Sequence, residues 1–194
     1  MDEEAGRVSV TIREARLSDA AGLARVHVDS WRATYAGIVP AEFLAGLSYE
    51  KSESRWQAAL AGDGTFHCFY VAEASAEGQG ALAGQIAGFA TGRCADAEGL
   101  PYQGEVGAIY IAEAHHRQGI GRRLVAAVAA RLLQEGMPAM MIWALTENKG
   151  ARAFYEALGG VLVAERTVTI GGAELPEVAY GWADVRTLCG SKAS

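Results

Sequence analysis

Along the chain the apolar positions change period repeatedly, and each change predicts an element. Residues 7–14 alternate like a first strand, and Ser18-Asp19 open a helix carrying Leu23, Val26, His27, Ser30 and Trp31. A turn over 34–40 leads to a second helical region, 41–61, with Phe43, Leu44, Leu47, Trp56 and Leu60. Residues 66–74 and 85–93 read as strands joined by a polar, Gly-rich hairpin around 77–80, and 94–103 as a loop able to overhang a site. The β-branched run 106–111 gives way to polar residues, then to Ile120, Leu124, Val125, Val128, Leu132 and Leu133 at helical spacing, stopped by Gly136 and Pro138. Strand 140–145, a helix opened by Thr146-Glu147-Asn148 and closed by Gly159-Gly160, strand 161–170, a Gly171-Gly172 turn and strand 177–183 complete the chain. Hairpins flanking a central strand-helix-strand unit predict an α/β fold: a mixed, twisted sheet of about six to seven strands with helices on both faces.

The central unit carries the chemistry. Gly119 and Gly121 open its helix without a Cβ, so free backbone N–H groups can approach an anion at the positive end of the helix dipole. No Lys-Ser or Lys-Thr follows the second glycine, which excludes a Walker loop. A dinucleotide fingerprint would need glycine at Leu124 and an acid near Ala139, and has neither. By itself the loop reads equally as an anion site and as a tight connection.

The order Glu105, Ile109-Tyr110-Ile111, Arg117-Gln118-Gly119-Ile120-Gly121, helix, Met140 to Leu145, Asn148 and Ala153-Phe154-Tyr155-Glu156-Ala157-Leu158-Gly159 resembles the GCN5-related N-acetyltransferase (GNAT) family, closely over about residues 81–183. The resemblance implies an acyltransferase with acetyl-CoA as co-substrate. It implies that the amides from Arg117 through Gln118, Gly119, Ile120 and Gly121 to Arg122 hold the pyrophosphate, and that the main chain of Ile109 and Ile111 bonds the pantetheine arm. Asn148 would serve the cofactor and Tyr155 the departing sulfur; on the residues alone Asn148 reads first as a cap and Tyr155 as a core aromatic, and it is the resemblance that reverses this. Three residues before Gly119 the family usually has Gln or Arg, and here it is His116.

Acetyl transfer to a lysine-like amine of pKa ~10.4 needs a proton acceptor, and the resemblance offers Glu105. Strict alternation would put Glu105, Gly107, Ile109 and Ile111 on one face, unless a bulge resets the parity. Trp31-Arg32-Ala33-Thr34-Tyr35-Ala36-Gly37 resembles a subgroup signature and makes Trp31 and Tyr35 the candidates for the acceptor side. A non-catalytic acyl-CoA sensor of the same fold and a nucleotide-binding protein using the same loop are the alternatives.

Composition narrows these readings only a little. The 194 residues suit one domain with short flexible ends near 1–7 and 190–194, and no apolar run has the length of a signal peptide or membrane span, so a cytoplasmic location is expected. Three dispersed cysteines suit a reducing compartment, and the four histidines lack metal-ligand spacing. A net charge of −6 disfavours nucleic acid as a partner and suits a small-molecule or peptide amine; a homodimer stays open.

Overall fold

The computed structural model describes residues 8–62, 64–76, 84–96 and 99–189; the expected hairpin at 77–80 and the two chain ends lie outside them. Seven strands form one sheet: β1 Val8–Glu14, β2 His67–Ala76, β3 Gln85–Cys94, β4 Gly104–Ile111, β5 Met140–Leu145, β6 Val161–Ile170 and β7 Ala173–Trp182. Their order is β1-β2-β3-β4-β5-β7-β6. Every neighbouring pair is antiparallel except β4 and β5, which the helix between them makes parallel.

Helices cover both faces, in the order α1 Ala20–Thr34, α2 Ala41–Ala45, α3 Tyr49–Ala61, α4 Ile120–Gln134, α5 Lys149–Ala157 and α6 Arg186–Cys189. On one face the fully buried Leu124, Val128 and Leu132 of α4 pack with Val106, Met140 and Tyr180 of the sheet, and Tyr155 and Leu158 extend this core along α5. On the other, Leu23, Val26 and Trp56 meet Val71 and Phe89, while Leu44 and Val39 cover Leu145 near the β6–β7 hairpin.

Three sequence expectations are corrected. The helical region 41–61 is two helices, because Gly46 ends α2 and Ser48 starts α3 afresh, its Oγ accepting from Lys51 N at 3.2 Å. Asp19 precedes α1 but does not cap it with its side chain: the carboxylate takes two hydrogen bonds from Arg13, at 2.7 and 3.0 Å, and one from Arg16 N. In β4 a register shift opposite Thr91/Gly92 makes Gly107 a bulge residue, so strict alternation fails. Val106, Ile109 and Ile111 pack on the α4 face, whereas Ala108 and Tyr110 pack against α1 and α3. The parallel pairing Glu105↔Met141 and the place of Met140 and Ile142 in the α4 core put Glu105 on the α1 face, opposite Ile109 and Ile111.

His27 of α1 lies among aromatics, stacked on Tyr110 (5.5 Å, 21° between planes) and edge-on to Trp31, Trp56 and Phe89. Burial, with a smaller contribution from Arg55, pushes its pKa down to about 4. The unfolded chain therefore binds this proton more readily, at about 6.5, so the stability tied to neutral His27 is complete above pH 6.5 and lost as pH falls toward 4. The loss amounts to about 3 kcal/mol. His27→Phe is expected to flatten the fall of Tm between pH 6.5 and 4; parallel melting curves for the two proteins would contradict this placement.

Candidate active site

β4 and β5 are paired only through Gly104↔Met140 and Glu105↔Met141, beyond which the strands diverge. The gap opens into a groove of about 1700 Å³, bounded by β4 from Gly107 onward, the loop to α4, the inner side of α5 and α1. The hydrogen bond from Ala112 N to Ala87 O sets the alternation of the β3–β4 ladder, so the main chain of Ile109 and Ile111 turns away from β3 toward the gap.

The loop between β4 and α4 is shaped by two left-handed residues. Arg117 has φ +62°, the one positive φ outside glycine among the described residues, and Gly119, which precedes α4, has φ +74°. A left-handed non-glycine residue is strained by about 1–2 kcal/mol, and such strain gathers where a loop must hold a special shape. Here the main-chain amides of Arg117, Gly119, Ile120 and Gly121 have no acceptor among the described residues, whereas the Gln118 amide closes a loose turn over His116 and Arg117. Successive unclaimed amides at a helix N-terminus form an anion-binding concavity. The two glycines serve different ends. Gly119 supplies the backbone shape, and a Cβ there would meet nothing within 4 Å. At Gly121 a Cβ would sit 3.0 Å from the Phe154 ring and 3.2 Å from Ile111, so its absence lets α4 close on both.

His116, the departure from the family pattern, turns back: its Nε2 lies 2.9 Å from the carbonyl oxygen of Ile111 and ties the loop to the end of β4. That carbonyl is thereby engaged, leaving the Ile111 N–H and the Ile109 main chain along the gap. Asn148 and Tyr155 both line the groove. Asn148 Oδ1 accepts from Ala151 N at 3.1 Å and so caps α5, while its amide NH2 makes no hydrogen bond among the described residues. Tyr155 is 5 % exposed. Burial, reinforced by nearby Tyr35, pushes its hydroxyl above the usual phenol range.

Across the groove stand Tyr35, which ends α1, and Tyr110, their hydroxyls 3.4 Å apart. Burial and the Tyr35 hydroxyl also raise Tyr110 well above the phenol range. Trp31 packs behind Tyr35, ring centroids 4.8 Å apart. Its buried Nε1 lies close enough to Tyr110 to favour the phenolate slightly, yet makes no hydrogen bond of sound geometry. Glu105 is 4 % exposed and does not line the groove; its Oε1 accepts from Arg93 Nη2 at 2.6 Å. On the same face Trp143 lines the groove beneath the Arg166 guanidinium, and Tyr102 of the preceding loop lies over Gly181. The structure thus brings Ile109, Ile111, Arg117, Gly119 to Arg122, Asn148, Tyr155 and Tyr35 to one groove, with Gln118 off its lining and its Nε2 donating to Ala114 O at 3.4 Å, Trp31 behind its wall and Glu105 beyond its closed end.

Tyr110, Arg93 and Arg166 are absent from the sequence candidates. Tyr110 was reachable, since the residue between two ligand-facing positions of a strand serves the opposite face. Arg166 was reachable too: a two-residue turn at Gly171-Gly172 fixes the register that pairs it with Glu177. The Arg93–Glu105 contact depends on the bulge and left no local signal. Among the described residues no group of three or more His, Cys, Asp or Glu is arranged to hold a metal, and no helix is long and apolar enough to cross a membrane.

Residues 27–160 match the Acetyltransferase (GNAT) family. The chain is also 39 % identical to the uncharacterized N-acetyltransferase YuaI of Bacillus subtilis (strain 168) over 180 residues, covering 92 % of this chain and 96 % of that protein. The chain belongs to the GNAT acetyltransferase family. It is an acyltransferase. Solved GNAT structures share its fold: the putative acetyltransferase yncA from Salmonella typhimurium with its cofactor acetyl-CoA has a TM-score of 0.64 at 18 % identity, covering 96 % of this chain and 97 % of that one. The PaiA N-acetyltransferase from Thermoplasma acidophilum in complex with coenzyme A has a TM-score of 0.60 at 21 % identity, covering 87 % and 98 %. In this GNAT chain Gly119→Ala places a Cβ on a residue that needs φ +74°. The strain of about 1–2 kcal/mol should weaken CoA binding about tenfold with little loss of fold. Calorimetric titration with CoA checks this, and unchanged affinity would separate the loop shape from ligand binding.

Proposed function

We propose that the protein transfers an acetyl group from acetyl-CoA to a primary amine of a small molecule or peptide, directly, in a ternary complex. The observation that carries the reading is the run of amides from Gly119 to Gly121, with that of Arg117 beside it, that have no acceptor among the described residues and are set at the open end of the β4–β5 gap. These amides and that of Arg122 hold the pyrophosphate. The gap receives the pantetheine arm along Ile109 and Ile111, and the free NH2 of Asn148 adds a donor on the α5 side.

Bound acetyl-CoA supplies a thioester whose carbonyl carbon the amine attacks. A strand-end N–H near Ile111 stabilises the oxyanion, and Tyr155 faces the sulfur. Tyr35 and Trp31 form the acceptor side, and the Glu105 oxygen not taken by Arg93 receives the amine proton through water.

A non-catalytic acyl-CoA sensor is the competing reading, favoured by the retreat of Glu105 from the groove into its ion pair. CoA titration in the presence of ATP tests the donor assignment: CoA should bind at least about a hundredfold more tightly, and comparable affinities would return the loop to a general nucleotide site.

A further inference from the structure

On the face of the sheet that carries Glu105 and Trp143, Arg166 of β6 is held in a way that transfer to a plain amine does not use. Register sets Trp143 opposite Ala179 and Ala164, and Leu145 opposite Glu177 and Arg166. Ala179 is too small to separate Trp143 from β6. Arg166 leans across it, its guanidinium carbon 3.9 Å from the Trp143 ring centroid. Its Nε donates to Glu177 Oε1 at 2.5 Å. The Glu177 side chain is 10 % exposed and that of Arg166 is 46 % exposed.

The guanidinium is thus fixed twice, by stacking and by its inner nitrogen, while Nη1 and Nη2 have no acceptor among the described residues. Those two nitrogens form the end-on fork that takes a carboxylate or phosphate through parallel hydrogen bonds. Arg93, the comparable half-exposed arginine on this face, spends a fork nitrogen on Glu105 instead. Anchoring removes much of the side-chain freedom that an exposed arginine would otherwise lose on binding. The position suits an acceptor as well. Arg166 itself stands outside the groove lining, but Trp143 beneath it lines the groove, and Val168, two residues further along β6, packs against the same Val39, Leu44 and Leu145 cluster as Trp31 and Tyr35.

We propose that Arg166 determines acceptor specificity, and that the acceptor is an amine bearing an oxyanion, a carboxylate or phosphate-type group, gripped by the Arg166 fork while the amine faces the groove. The inference rests on the amine-acetylation reading above. An amino carboxylate of this kind carries no net charge, so the net charge of −6 does not set its affinity, whereas an aminoalkyl phosphate is net negative at pH 7 and must overcome it.

Calorimetry on the CoA-loaded protein tests it with ω-amino acids and aminoalkyl phosphates, each paired with the alkylamine of the same chain length, whose amine has nearly the same pKa. At least one acid or phosphate should bind about tenfold or more tightly than its paired amine, the size of a charged, bidentate contact, and the two series distinguish carboxylate from phosphate. Arg166→Lys keeps the charge beside Glu177 but lacks the fork, and should cut that preference to about threefold or less with CoA affinity unchanged. Removing the charge outright would strand buried Glu177, so Arg166→Met is combined with Glu177→Gln, and this pair should also abolish the preference. Absence of any preference for the anionic members, or a preference that survives both variants, overturns the inference. Turnover measured in parallel keeps the two readings apart: an Arg166-dependent preference in binding with no acetylation of any member sinks the transferase reading and leaves the anion site standing.

Discussion

Glu105→Gln is expected to lower kcat/KM for the amine about a hundredfold, the low end of the ~10²–10⁴ typical of a proton-transfer group. The low end follows from the geometry. Glu105 is buried beyond the closed end of the groove with one oxygen committed to Arg93, so it can reach an amine only through water. Glutamine is nearly isosteric and can still accept from Arg93, and the half-exposed Arg93 guanidinium is not stranded by the change. Loss of rate would therefore report loss of the base. The pH profile gives a second readout, because an alkylamine of pKa ~10.4 that must shed its proton in solution gains rate roughly tenfold per pH unit. The variant should climb in this way from pH 7 to 9, and the wild type should level off earlier. A variant within a few-fold of wild type, with the same profile, would show that the amine arrives neutral without Glu105.

Tyr155→Phe should lower kcat by roughly ten- to a hundredfold, with the KM for acetyl-CoA nearly unchanged. The direction of the Tyr155 shift decides the size. Burial and Tyr35 raise its hydroxyl above the phenol range, whereas a CoA-like thiol ionises near ~8.5, so full proton delivery to the departing thiolate is uphill. Tyr155 is then better suited to donate a hydrogen bond to the sulfur than to surrender its proton. Such a bond to a charged group contributes about 1.5–3 kcal/mol, which gives the stated factor. Burst and steady-state kinetics with one amine would check it. Full turnover in the variant would reduce Tyr155 to a wall of the groove, held by its contacts with Phe154, Tyr180 and Trp182.

What the sequence made legible follows from where its information is local. The pattern of apolar positions located all seven strands and the long α4: α4 buries one face, β3 and β5 are short apolar runs buried on both, and the exposed β6 is marked off by Gly159-Gly160 and Gly171-Gly172. Asn148 and Tyr155 could be assigned to one side of α5, since seven residues are two helical turns. The break between α2 and α3 was hidden because Leu47 and Trp56 continue the apolar pattern across Gly46 and Ser48. The strain at Arg117 was invisible, for nothing in an arginine announces φ +62°. The face of Glu105 depended on a bulge whose only trace is Gly107, and its partner Arg93 comes from a neighbouring strand. Arg166 was missed for another reason. The hairpin register was available, but the stacking on Trp143 depends on Ala179 of β7 being small enough to lean across.

The central claim is that a CoA site and an amine site meet in one groove, and thiol release from acetyl-CoA measures that meeting most directly. Purified protein should release CoA faster in the presence of an accepted amine than by hydrolysis alone, across a panel of polyamines, amino acids, aminoglycosides and peptides, and Gly119→Ala should demand more acetyl-CoA for the same rate. Tight CoA binding with the same slow release in every member of the panel would contradict it and make the chain an acyl-CoA sensor.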